Sequence, residues 1–219
     1  MLHLEAVEPG TLALLRRIQA LPFMSRTRLV GGTALALQLG HRISVDLDFF
    51  GEWTPLAELE SVLSECGRLR VKTAGENKLQ FFELDGVKVD CVTYSDFPWI
   101  DDSVIEGGVV LAGLGDIAAM KINAITNRGT RKDFIDVCFL LERFSLSEIL
   151  TFFRKKYPKS FLMLALRSLL YFDDAEAEPM PRMLMPFDWE AAKAKITQEV
   201  RKILNDPLSF DLKRITGLP

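Results

Sequence analysis

The sequence predicts an α/β protein in which a lobe built on a mixed β-sheet is followed by a helical lobe. Three observations predict it. A strand-like run, Thr27 to Val30, passes through the pair Gly31-Gly32 into helical spacing from Thr33 to Leu39. Two alternating runs, Leu79 to Leu84 and Val87 to Thr93, are joined by Asp85-Gly86, a strong short hairpin signal. After Gly113 the apolar spacing becomes helical and stays so.

Taken in order, Thr11 to Leu21 carries apolar residues at helical spacing, and Pro22, which clashes with a continuing helix, marks its end. The glycine pair breaks the first strand, and Gly40, able to take a left-handed conformation, closes the helix that follows. From Ile43 to Phe50 the alternation places Asp46 and Asp48 on one face of a strand and Val45, Leu47 and Phe49 on the other. Trp53, Thr54 and Pro55 are expected to open an amphipathic helix, Thr54 as its cap, and Gly67 to close it. In the strand after the hairpin, Val87, Val89 and Cys91 face the core, leaving Lys88 and Asp90 opposite. Further helices are predicted over Asp116 to Asn127, Lys132 to Phe144, Glu148 to Lys156, Lys159 to Phe172 and Trp189 to Leu204. Ser145 with Glu148 makes a capping box, and Asp173 to Pro186, rich in acid and proline, reads as a surface loop.

Composition narrows the function classes. With 219 residues, 48% apolar and 26% charged, the chain is expected to fold throughout. The amino terminus lacks the basic region and apolar stretch of a secretory signal, and the run Phe161 to Phe172, interrupted by Arg167, is shorter than the about 20 residues a bilayer requires. A cytoplasmic protein with no membrane partner is expected. Cys66, Cys91 and Cys138 are odd in number and widely spaced, so they are expected to be buried free thiols. With two histidines, His3 and His41, a histidine-rich transition-metal site is not expected, and any metal should be a hard cation on carboxylates. The net charge of −3 argues against coating nucleic acid through a global field but leaves a local basic groove open.

Asp46 and Asp48 carry the chemistry. Residues two apart on a strand lie roughly 6.6 Å apart and project the same way, so both can grip one metal cluster. If the face were buried, their repulsion and desolvation would require a cation; the alternative is a solvated face. Asp90 adds a third acid if its strand neighbours theirs. The turn Gly31-Gly32-Thr33 opens a helix whose free N–H groups can hold phosphate, although a tight turn alone would use the same residues. Arg42 and Ser44 either touch phosphate or brace the acids. Lys121 and Arg128, seven apart, share a helix face that either reaches a phosphate or is solvated. Asp133 and Asp136, three apart, either meet the nucleotide or cap their helix and pair with Lys121 and Arg131. The basic run Arg154, Lys155, Lys156 and Lys159 is either an RNA contact or a solvated helix end.

The run GGTALALQLGHRISVDLDFF, followed by Asp90 on a strand, resembles the nucleotidyltransferase superfamily and within it the AbiEii/AbiGii-type toxin family. GDIAAMKINAI, with Asp116 and Lys121, and the segment from Arg128 to Asp136 are similar to that family's two later motifs. One departure is Thr33, where the wider superfamily usually has serine after glycine; the hydroxyl is kept. The resemblance implies an α/β nucleotidyltransferase lobe with a mixed β-sheet over residues 1–112 and a carboxy-terminal helical lobe over 113–219 that completes a nucleotide cleft. It implies transfer of a nucleoside monophosphate from an NTP to an acceptor, with Asp46, Asp48 and Asp90 binding Mg²⁺ or Mn²⁺. Gly31, Gly32, Thr33, Arg42, Ser44, Lys121, Arg128 and Asp136 would contact nucleotide. Lys121 is expected to act on the triphosphate more than on the fold, and Asp133 is the first candidate for a general base. It further implies the toxin of a toxin–antitoxin or phage-defence pair, with a cognate antitoxin and RNA as the preferred acceptor. A small-molecule acceptor such as an aminoglycoside, suggested by the acidic stretch Asp173 to Glu178, and a non-catalytic nucleotide-binding module are the alternatives.

Overall fold

The glycine pair dictates the first joint of the fold. Strand β1 (Thr27–Val30) ends where Gly31 takes φ +70°, a left-handed conformation that glycine adopts without a Cβ penalty, and helix α2 (Gly31–Leu39) begins at once. Gly40, at φ +66°, stops α2 by the same freedom. The structure, a computed structural model, describes residues 1–52, 58–74 and 79–205, with the side chains of 72–74 excepted. The helix opening expected at Trp53, Thr54 and Pro55 lies outside the described residues.

The chain divides into two units, Met1–Gly113 and Leu114–Pro219. In the first, α1 (Pro9–Gln19), α2 and the short α3 (Leu59–Ser64) accompany a seven-stranded mixed sheet. The remaining strands are β2 (Leu47–Gly51), β3 (Leu69–Ala74), β4 (Leu79–Leu84), β5 (Val87–Thr93), β6 (Val104–Glu106) and β7 (Val109–Leu111), in the order β3-β4-β5-β2-β1-β7-β6. Strand β2 runs antiparallel to β1 and parallel to β5. Leu29, Leu47, Phe49, Phe82, Leu84 and Val89 are buried core residues, joined by Leu14, Leu15 and Ile18 of α1.

Three strands were not legible in the sequence. In β3 charged residues, Arg70 and Lys72, interrupt the apolar signal of an edge strand, while β6 and β7 are three residues each, too short for periodicity. Their turn, Gly107-Gly108 with φ +61° and +80°, is a glycine hairpin signal that the sequence did contain. The strand expected from Ile43 starts instead at Leu47. Before it, Ser44 makes an isolated bridge to Val7 and donates its N–H to the Ala6 carbonyl at 2.9 Å, which takes the chain off the sheet. Val45, expected on the strand face of Leu47 and Phe49, is consequently 51% exposed while those two are buried. The Asp85-Gly86 turn forms as read, both residues left-handed at φ +52° and +85°.

The second unit comprises α4 (Leu114–Asn127), α5 (Arg131–Leu140), α6 (Leu146–Lys156), α7 (Leu162–Ser168), α8 (Asp173–Glu176) and α9 (Trp189–Asn205). Helix α4 packs against α5, α6 and α7, and α9 against α5 and α6, around Ile117, Ile122, Phe134, Ile149, Phe153 and Val200. The capping box forms: Ser145 Oγ accepts from the Glu148 N–H, and Glu148 accepts from the Ser145 N–H at 2.8 Å. Helix α7 is shorter than expected because Leu170 and Tyr171 donate to carbonyls three residues back, tightening the chain out of the helix. The acidic stretch read as loop opens with α8, whose acids lie in its first turn, where the helix dipole favours them. All three cysteines are free and buried, and burial pushes their thiols up. Among the described residues no helix is long and apolar enough to cross a membrane.

Candidate active site

The sheet register brings the acids together. Strands β2 and β5 are neighbours, and Asp48 is the Cα partner of Asp90, while across the other edge of β2 Asp48 is paired with Val30. Gly31 follows Val30 directly, so the glycine turn abuts Asp48. A Cβ built on Gly31 would stand 2.3 Å from the Asp48 Oδ2, so only a glycine lets the backbone approach this carboxylate. Asp46 precedes Asp48 by two residues and is half-buried, and Asp90 is buried.

Gly32 serves the other side of the turn. Its missing Cβ leaves room for the buried Arg42, whose Nη2 would stand 2.5 Å away, and for Ser44 Oγ at 3.2 Å. Thr33 donates its hydroxyl to the Asp46 carbonyl, and its Oγ lies 2.8 Å from Ser44 Oγ. Thr33 has one hydroxyl proton and the carbonyl takes it, so Ser44 donates back to Thr33. Thr33, Ser44 and Arg42, which donates to the Ile43 carbonyl at 3.1 Å, therefore brace the segment carrying the acids. The first N–H groups of α2 lack acceptors within the helix, the feature by which a helix start receives an anion.

Lys88 enters this site unannounced. Its ammonium lies 2.6 Å from Asp90 Oδ2, and the side chain as a whole is 47% exposed. Burial pulls its pKa down, but the hydrogen bond and charge of Asp90, with the charges of Asp48 and Asp46, more than offset this and raise it. The other oxygen of Asp90, Oδ1, is buried and has no hydrogen-bond partner among the described residues. The signal was present in sequence, since Lys88 shares a strand face with Asp90. Among the described residues no three histidine, cysteine or carboxylate side chains stand close enough to form a ready-made metal site. The donor set nonetheless suits a hard cation, and the orphaned Asp90 oxygen is one that a cation would satisfy.

The remaining sequence-derived candidates gather in the helical unit. Lys121 of α4 is buried, its ammonium 2.9 Å from Asp133 and 2.6 Å from Asp136 of α5. Asp133 also accepts from the Thr130 hydroxyl at 2.6 Å and lies 3.3 Å from Arg128 Nε. Burial would raise the Asp133 pKa, but Lys121, Thr130 and Arg128 together hold it below the ordinary carboxylate value. The pairing of Asp133 and Asp136 with Lys121 is thus realised. Arg131 does not join it, donating instead to the Ala175 carbonyl and to Glu176. Lys121 carries weight in the fold as well, because its buried ammonium lies against two buried carboxylates. Lys156 likewise leaves the solvated basic run: it is fully buried and 2.6 Å from the fully buried Asp116.

The family model described as nucleotidyl transferase AbiEii toxin, type IV TA system, matches residues 13–101 and 68–211. The chain belongs to the AbiEii nucleotidyltransferase toxin family. An uncharacterised protein of Aquifex aeolicus is 32% identical to this AbiEii-family chain over 198 residues, covering 88% of this chain and 95% of that protein. The JHP933 structure from Helicobacter pylori is similar at a TM-score of 0.56 and 16% identity, covering 95% of this chain and 98% of its own. The antibiotic-resistance factor ANT(2'')-Ia is similar at 0.53 and 14%, covering 66% and 89%. At these identities the two structures show a shared fold alone; the nucleotidyltransferase assignment rests on the family match.

Proposed function

We propose that this AbiEii-family chain moves a nucleoside monophosphate from an NTP to an acceptor, RNA being the preferred one, with Mg²⁺ or Mn²⁺ as cofactor. In this reading it is cytoplasmic and is the toxin of a toxin–antitoxin or phage-defence pair, opposed by a cognate antitoxin. One observation carries the chemistry: Asp48 and Asp90 are register partners beside a glycine turn that no side chain could replace.

Asp46, Asp48 and Asp90 would hold the cation. When bound, it supplies charge neutralisation at the α-phosphate and at the departing pyrophosphate. The chain's own part is positional. Gly31 and Gly32 keep side chains away from Asp48 and Arg42, and the start of α2 presents N–H groups and the positive end of its dipole to the triphosphate. Thr33, itself bonded to Ser44, holds the Asp46 carbonyl, which aims the acids. Arg128, 62% exposed beside Asp133, is the cation of the helical cluster best able to meet phosphate. Asp133 is a poor general base, since three donors already occupy its carboxylate, and no side chain is assigned that proton. The acidic stretch that suggested a cationic small-molecule acceptor is used internally in part: Glu176 takes Lys193, Trp189 and Arg131.

The test is label transfer. With Mg²⁺ and α-³²P-NTPs, the purified protein should label an acceptor in total RNA, and Asp48→Ala or Asp90→Ala should lower the rate a thousandfold or more, about 4 kcal/mol of lost transition-state stabilisation. Label on the γ-phosphate should not transfer. Transfer from γ-labelled ATP alone would mean a kinase and would overturn the proposal; a labelled aminoglycoside with unlabelled RNA would move the acceptor to small molecules.

A further inference from the structure

Asp90 rests on a cation that the reaction does not account for. Asp90 is buried, one carboxylate oxygen has no partner among the described residues, and the other rests on Lys88 at 2.6 Å. Lys88 reaches it from two residues away on the same strand face, and the charges of Asp48 and Asp46 act on the same ammonium. The register partner of Lys88 across β4, Glu83, lies 3.4 Å from the guanidinium of Arg70, so that carboxylate has a cation of its own. Lys88 is also half-exposed on a flexible stem, so its ammonium can leave Asp90 without disturbing the core.

We propose that Lys88 is the built-in counter-cation of the acidic site: its ammonium holds the place beside Asp90 that a divalent cation takes, and metal binding displaces it. The inference rests on the metal reading given above. Without metal, Lys88 relieves the repulsion among Asp46, Asp48 and Asp90 and so stabilises the strand pair that carries them. With metal, the ammonium swings free toward solvent, and its lost contact sets how tightly the metal is held. Lys88 is therefore a positioning residue that tunes metal affinity rather than a catalytic one.

The probe is Mn²⁺ alone, with free ion followed by electron paramagnetic resonance in the presence of the 219-residue chain. Lys88→Met, which keeps the stem and removes the charge, should bind Mn²⁺ about tenfold more tightly than wild type, as expected for removing a like charge from a partly exposed site. It should also melt at a lower temperature in the absence of metal. Lys88→Arg should stay near wild type in both, and Asp90→Asn should lose Mn²⁺ binding. An unchanged or weaker Mn²⁺ affinity in Lys88→Met would overturn the inference while leaving the metal reading standing. If Lys88→Met does not fold, wild type still decides the matter. Reductive methylation of Lys88, read by mass spectrometry, should accelerate when Mg²⁺ is added, and an unchanged rate would overturn the displacement. No Mn²⁺ binding by wild type or by Lys88→Met would remove the metal reading and this inference together.

Discussion

Lys121 shows what a single charge does inside a helical core. Its ammonium lies 2.9 Å from Asp133 and 2.6 Å from Asp136, both fully buried, so removing it takes the nearest buried positive charge from both. We expect Lys121→Met to lose about 3–5 kcal/mol of stability, the usual result of unpairing a buried charge, measured from urea unfolding. A loss below about 1 kcal/mol would mean that the carboxylates simply take up protons. The same cluster sets a pH dependence. Because the folded pKa of Asp133 lies below that of the unfolded chain, its contribution is complete above the ordinary carboxylate range and is lost as the pH falls through it. Stability should therefore decline on the acid side, and Asp133→Asn should make that decline shallower while lowering stability at neutral pH. An acid limb of equal slope in both proteins would assign the pH dependence to other carboxylates.

Two glycines separate conformational need from spatial need in the elements they join. Gly86, at φ +85°, has nothing within 4 Å of an added Cβ, so Gly86→Ala should cost only the left-handed penalty of about 1 kcal/mol and leave activity intact. Gly31, at φ +70°, pays the same penalty and in addition drives a methyl to 2.3 Å from Asp48 Oδ2. Gly31→Ala should therefore remove label transfer and Mn²⁺ binding far beyond its effect on folding. Equal activity losses in the two variants would mean that the turn acts only through stability. Elsewhere the element signals are local and self-contained. The Ser145 cap accepts from the Glu148 N–H and should be worth about 1 kcal/mol to the fold on replacement by alanine.

For the molecule as a whole, a cation that binds only the folded state must raise its melting temperature with concentration. Mg²⁺ should do so in wild type and much less in the Asp46→Asn/Asp48→Asn double variant; equal shifts would take the metal away from these residues. The sequence by itself determined what is written in local chemistry: the glycine joint at Gly31, the left-handed Asp85-Gly86 turn, the capping box at Ser145, the alternation that faces Asp48 and Asp90 away from the core, and the family motifs. Each is set within a few residues, where conformational preference and period act directly. Only the tertiary structure decided that β2 lies beside β5 with Asp48 opposite Asp90, that Ser44 bridges to Val7 and leaves Val45 in solvent, and that Lys121 and Lys156 are buried against distant acids. These depend on which segments meet across the fold, and a period or a propensity carries no record of a partner 40 residues away, as Asp116 is from Lys156.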